Sequence, residues 1–81
     1  MTSTLHDASY RAFASHLTAK RLELHVTQVN LAGRLGKPQS YVSKIERFER
    51  RMDPAEFAAI ARALGLDPVA EFTTALDVAS S

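Results

Sequence analysis

Apolar residues recur along this chain at intervals of three and four, and no stretch alternates cleanly enough to read as a strand. The spacing predicts five short helices. The first runs from about Ala8 to Leu24, with Asp7 as N-cap, Tyr10, Phe13, Leu17 and Leu24 along one face, and Lys20 and Arg21 beside it. The second opens at Thr27, where Val26 and Leu31 form a hydrophobic staple; Leu31, Ala32 and Leu35 are its buried stripe, and Gly36 ends it in the left-handed conformation that glycine favours. Pro38 suits the first turn of the third, whose inward residues are Val42 and Ile45. The fourth has the clearest start: Asp53 as N-cap, Pro54 behind it, Glu56 completing a capping box, and Met52 with Phe57 as a second staple. Phe57, Ile60, Ala61 and Leu64 follow at helical spacing, and Gly65 closes the helix. Asp67-Pro68 repeats the cap for a fifth helix with the stripe Val69, Phe72 and Leu76. The connections are short, as a compact all-α domain requires. That domain covers residues 10–77, between an N-terminal arm, residues 1–9, and an end that frays from Val78 to Ser81.

Composition narrows the function. The chain has 81 residues, 46% hydrophobic and 23% charged, which fits one small globular domain and not a disordered chain. With no Cys, disulfides and thiolate chemistry are excluded. His6, His16 and His25 lack ligand-like spacing, so no metal and no cofactor is expected, and the three are assigned to the surface or to helix flanks. No nucleophile, base and orienting acid assemble at workable spacing, which argues against an enzyme. No apolar run approaches the ~20 residues that span a bilayer, and the start of the chain is neither basic nor apolar. A soluble, cytoplasmic, nucleoid-associated protein is expected.

The formal net charge is only +1, but it is unevenly spread. Arg34, Lys37, Lys44, Arg47, Arg50 and Arg51 crowd the middle of the chain against Glu46 and Glu49. Beyond Met52, Arg62 stands alone against Asp53, Glu56, Asp67, Glu71 and Asp77. A basic middle is the footprint of a polyanion binder. It coincides with a helix–turn–helix: the second helix, Gly36, and the third. At about 100° per residue from Val42, the residues Lys37, Ser40, Lys44 and Arg47 fall on the opposite side of the third helix, between about 140° and 220°. Tyr41 and Ser43 flank that stripe, and Gln39 stands at the helix start. A slim, cationic, acid-free face of this kind fits the major groove of B-DNA.

These residues resemble the lambda-repressor-like helix-turn-helix family, which includes phage repressors, Cro proteins and xenobiotic-response-element-type bacterial regulators. The strongest matches are Arg21, Thr27-Gln28 with Leu31-Ala32, Gly36, the run Pro38 to Lys44, Ile45-Glu46 and Ala63-Leu64-Gly65. The resemblance implies a five-helix DNA-binding domain in which Gln39, Ser40 and Lys44 meet base edges; Tyr41 beside them is expected either to touch a thymine methyl or a phosphate or to cover the helix–turn–helix. It places Gln28 on a phosphate at the start of the second helix, and Arg50 and Arg51 on the backbone, where Lys37, Ser43 and Arg47 are also expected. Arg21 and Glu46 are expected to form a structural ion pair. The sequence departs from the family at His25 and Phe48, where Gly is usual, and at Asn30, where an acid is usual. Because Phe is costly in the left-handed region, the third helix is expected to run on by one or two residues or its loop to be re-routed.

The partner implied is double-stranded DNA carrying an inverted repeat, bound by a homodimer through Val69, Phe72 and Leu76 of the fifth helix. The expected function is a transcriptional regulator, a repressor that acts on its own operon. The alternative is an antitoxin or adaptor that mainly binds an unidentified partner protein, with DNA binding secondary.

Overall fold

The computed structural model describes residues 7–80. It contains α1 (Ala8–Glu23), α2 (Gln28–Leu35), α3 (Gln39–Glu46), α4 (Pro54–Ala63) and α5 (Pro68–Ser80), with no strand among the described residues. Local chemistry explains the starts. The Asp7 carboxylate accepts from the N–H groups of Ser9 and Tyr10, and the Thr27 hydroxyl accepts from Asn30. At α4 the capping box is complete: Asp53 accepts from Glu56 N–H, and Glu56 accepts from Asp53 N–H. Asp67 accepts from Val69 N–H at the head of α5. Pro38 is the N-cap of α3 and not its first helical residue, with an extended ψ of 157° and no side-chain bond to give.

The ends of α1 to α4 share one device, a pair of crossing backbone hydrogen bonds around a residue at positive φ. After α3, Glu49 N–H donates to Lys44 O at 2.8 Å and Phe48 N–H to Ile45 O at 3.1 Å. The pivots are Gly36 (φ 66°) and Gly65 (φ 78°), but also His25 (φ 58°) and Phe48 (φ 61°). The expected extension of the third helix is therefore corrected: α3 stops at Glu46, and Phe48 takes the left-handed conformation itself. The cost of that conformation is roughly 1–2 kcal/mol. It is offset because the Phe48 ring packs half-buried against the core, with the Arg11 guanidinium 4.9 Å from its centroid.

The core is built from Ala14 and Leu17 of α1, Leu31 and Ala32 of α2, Val42 and Ile45 of α3, Met52, Phe57, Ile60, Ala61 and Leu64 around α4, and Ala75 of α5. Three rings join α1, α4 and α5: Phe13 stacks on Phe57 at 5.0 Å, and Phe72 meets both edge-on at 5.4 Å. Leu24, expected on the inward face of the first helix, is the C-cap and stands 43% exposed; Arg21 takes the buried position one turn earlier. The stripe expected for the fifth helix is also corrected. Glu71, Phe72, Ala75 and Ala79 turn inward, while Val69 is 73% and Leu76 46% exposed. Phe72 packs into the ring cluster and is partly buried.

Of the expected N-terminal arm, residues 1–6 lie outside the described residues, and Ala8 and Ser9 belong to α1. Through the residues where fraying is expected, α5 is helical to Ser80, whose hydroxyl donates to Leu76 O. Ser81 lies outside the described residues.

Candidate nucleic-acid interface

The helix–turn–helix holds α3 by one face and leaves the other free. Val42 and Ile45 are 2% and 4% exposed, whereas Lys37, Gln39, Ser40, Lys44 and Arg47 are all exposed. Ser43 lies at the margin, half-buried. At the end of the stripe the exposed Glu49 pairs with Arg47 at 3.1 Å. Within α3 no acid faces outward, because Glu46 turns toward α1. There Arg21 grips both carboxylate oxygens, Nε to Oε2 at 2.7 Å and Nη2 to Oε1 at 2.9 Å, and its Nη1 donates to Val26 O at 2.7 Å. Both side chains are about nine-tenths buried, at 9% and 11% exposure. A paired, hydrogen-bonded charge of this kind fixes the approach of α3 to α1 more than it adds net stability.

Gln28 connects this pair to the surface. Its Nε2 donates to Glu46 Oε1 at 2.8 Å, and its Oε1 accepts from Gln39 Nε2 at 3.3 Å. The Gln28 side chain, expected to reach a phosphate, is thus held within the domain. What the start of α2 still presents is the N–H groups of Gln28 and Val29, which have no partners within the helix, that of Asn30 being capped by Thr27.

Tyr41, expected beside the base-contacting residues, is tied into the domain. Its hydroxyl donates to Glu56 Oε2 at 2.8 Å, so the side chain bridges α3 to α4. The ring carries the Arg50 guanidinium at 4.9 Å and the Lys37 ammonium at 5.4 Å. Burial and the hydrogen bond to Glu56 push its hydroxyl pKa up from 10.0 to about 12. Arg50 Nη2 donates to the same Glu56 oxygen at 2.7 Å. The Arg51 guanidinium lies 5.2 Å from the Tyr10 ring centroid. Arg50 and Arg51, expected on the DNA backbone, are thus both in contact with the domain itself. Arg47, by contrast, is bonded only to its exposed neighbour Glu49, at 3.1 Å.

Several residues carry structural contacts that the sequence does not reveal. Glu56 is a hub: Oε1 closes the capping box, and Oε2 receives Tyr41 and Arg50. A capping-box glutamate always has a second oxygen, and that was the available signal. Arg34 donates to Asn30 Oδ1 and to Ala63 O, tying α2 to the last turn of α4, where a cation is favoured. His16, expected at the surface or on a helix flank, turns its side chain in between α1 and α5, its Nε2 2.7 Å from Glu71 Oε1 with side-chain exposures of 9% and 15%. No local pattern links residues so far apart in sequence. Among the described residues no group of His, Asp and Glu is placed to hold a metal ion, and no helix is long and apolar enough to cross a membrane.

Comparison with known proteins agrees with this geometry. A family described as Helix-turn-helix matches residues 17–70. Among solved structures, the chain is similar to an XRE-family like protein from Pseudomonas syringae pv. tomato str. DC3000. The two are 44% identical, with 89% of this chain and 88% of that chain covered and a TM-score of 0.81. No curated protein matches the chain.

Proposed function

The chain belongs to the XRE and lambda-repressor-like helix-turn-helix family of DNA-binding transcription regulators, and on that premise we propose that it is a repressor that reads an inverted repeat as a homodimer. One observation carries the reading: an acid-free, exposed face of α3 backed by an inner face that is fully buried and ion-paired. In this arrangement α3 enters the major groove. Gln39, Ser40 and Lys44 meet base edges; Gln offers a donor and an acceptor to adenine, and Lys donates to guanine O6 and N7. Lys37, Ser43, Arg47 and the first-turn N–H groups of α2 meet phosphates.

A single recognition helix with so few cations gives weak, salt-sensitive attachment. Two copies double the contacts and set half-sites about one helical turn, ~34 Å, apart. The face that supports dimerisation is the outer side of α5, where Val69 and Leu76 are exposed. The acidic end of the chain then lies away from the DNA. The protein acts in the cytoplasm, on its own operon, and is controlled through concentration, dimerisation or a partner protein.

Selection from random duplex DNA tests this together with sedimentation at micromolar concentration. The expected results are an inverted repeat and a two-chain species that shifts to one chain in Val69→Asp. A selected site without two-fold symmetry, with only a single-chain species on and off DNA, would overturn the dimer.

A further inference from the structure

The ion pair beneath α3 reaches the outer surface through two amides, and the direction of each hydrogen bond along that path follows from chemistry. Arg21 holds both oxygens of Glu46, and a carboxylate so held only accepts. Gln28, 2.8 Å from Glu46 Oε1, must therefore present its NH2 there and turn its oxygen to Gln39. Gln39 must in turn offer its NH2 to that oxygen, at 3.3 Å. The two heads of an amide are ordinarily hard to tell apart, but an acceptor-only end removes the choice.

We propose that Glu46 is a positioning residue for base choice: it sets the polarity of the Gln28 amide and, through it, of Gln39. The inference rests on the reading that Gln39 meets a base edge. Gln39 then holds Oε1, with the N–H beside it, toward the groove. The purines share N7 and differ at the 6-position, where adenine has an N–H donor and guanine an acceptor. An oxygen aimed at that point accepts from adenine and opposes guanine. The same amide turned over would set NH2 there and suit guanine. Arg21 keeps the end of the chain from rotating, since it is also bonded to Val26 O at 2.7 Å. The polarity at the surface is thus written by a residue that never touches DNA.

The test measures affinity for the selected site and for the same site with adenine replaced by guanine at the Gln39 position. The proteins are wild type, Gln39→Ala, Gln28→Met and Glu46→Gln, each with its melting temperature. Wild type should favour adenine by roughly tenfold, and Gln39→Ala should abolish the preference. Glu46→Gln, whose amide can offer oxygen or NH2, and Gln28→Met, which cuts the path, should each bring the ratio to within about twofold while the preference at the Lys44 position persists. A purely structural role for Glu46 lowers the melting temperature, or affinity for all sequences alike, and leaves the ratio unchanged; that result overturns the proposal. Gln28→Met keeps the Arg21–Glu46 pair, so it decides the question even where Glu46→Gln does not fold. If Gln39→Ala leaves the selected sequence unaltered, the base-contact reading fails and the proposal falls with it. If Gln39→Ala acts and the other two variants leave the ratio alone, the proposal alone is wrong.

Discussion

The outer face of α3 and the loop that follows it draw their cations from one basic stretch, yet the structure uses them differently. Lys44 and Arg47 stand exposed, with no bond holding either to another helix. Arg50 is drawn onto Glu56 and the Tyr41 ring, and Arg51 onto the ring of Tyr10. A run of positive charge therefore does not measure a DNA-binding surface. What matters is whether a carboxylate anchored in another element holds the cation, as Glu56 of α4 holds Arg50, whereas Glu49, which pairs with Arg47, is itself exposed. Glu56, fixed at the head of α4 by its capping box, holds Tyr41 of α3 and Arg50 of the following loop at once.

The contrast can be broken at its root. Arg21→Ala leaves the Glu46 carboxylate buried without its partner, and should cost about 3–5 kcal/mol of folding stability in denaturant melts. A loss below about 1 kcal/mol would mean that the pair does not hold α3 in place. The next largest effect belongs to the outer face. Lys44→Ala should weaken binding to the selected site by about 1–3 kcal/mol while stability stays within about 0.5 kcal/mol of wild type.

Tyr41→Phe probes the loop side. It removes one bond to a carboxylate and should cost about 1.5 kcal/mol at neutral pH, with little change in site preference. It should also change the alkaline limb. Because burial and Glu56 raise the Tyr41 pKa from 10.0 to about 12 in the folded chain, the unfolded chain loses that proton first. The contribution is fully present below pH 10 and is lost as pH rises toward 12. Urea melts across that window should show a steeper decline for wild type than for Tyr41→Phe; equal slopes would refute the assignment. The smallest effect is expected at the turn that presents Val26 O to Arg21. His25→Gly relieves a left-handed histidine and should stabilise the fold by about 0.5–1 kcal/mol with DNA binding unchanged.

Helix starts were legible in the sequence because caps are local chemistry: Asp7, Thr27 and Asp53 act within three residues of themselves. The inner and outer faces of α3 were legible too, since Val42 and Ile45 fix its rotation. The end of α3 was not, because the strain at Phe48 is local while the packing that offsets it comes from α1 and the core. The inward face of α5 was misread because hydrophobicity favours Val69 and Leu76, whereas the fold buries Ala75 and pairs Glu71 with His16, 55 residues earlier. The bonds that Tyr41 and Arg50 make to Glu56 were not legible either, because they join α3 and its following loop to the head of α4.

The separation of the two sets of cations is most directly tested by the salt dependence of binding to the selected site, compared between Arg47→Ala and Arg50→Ala. A phosphate contact contributes about 1 to the slope of log K against log salt. The slope should fall by about 1 in Arg47→Ala and stay at the wild-type value in Arg50→Ala, which should instead melt earlier. A slope that falls in Arg50→Ala and is unchanged in Arg47→Ala would contradict the account.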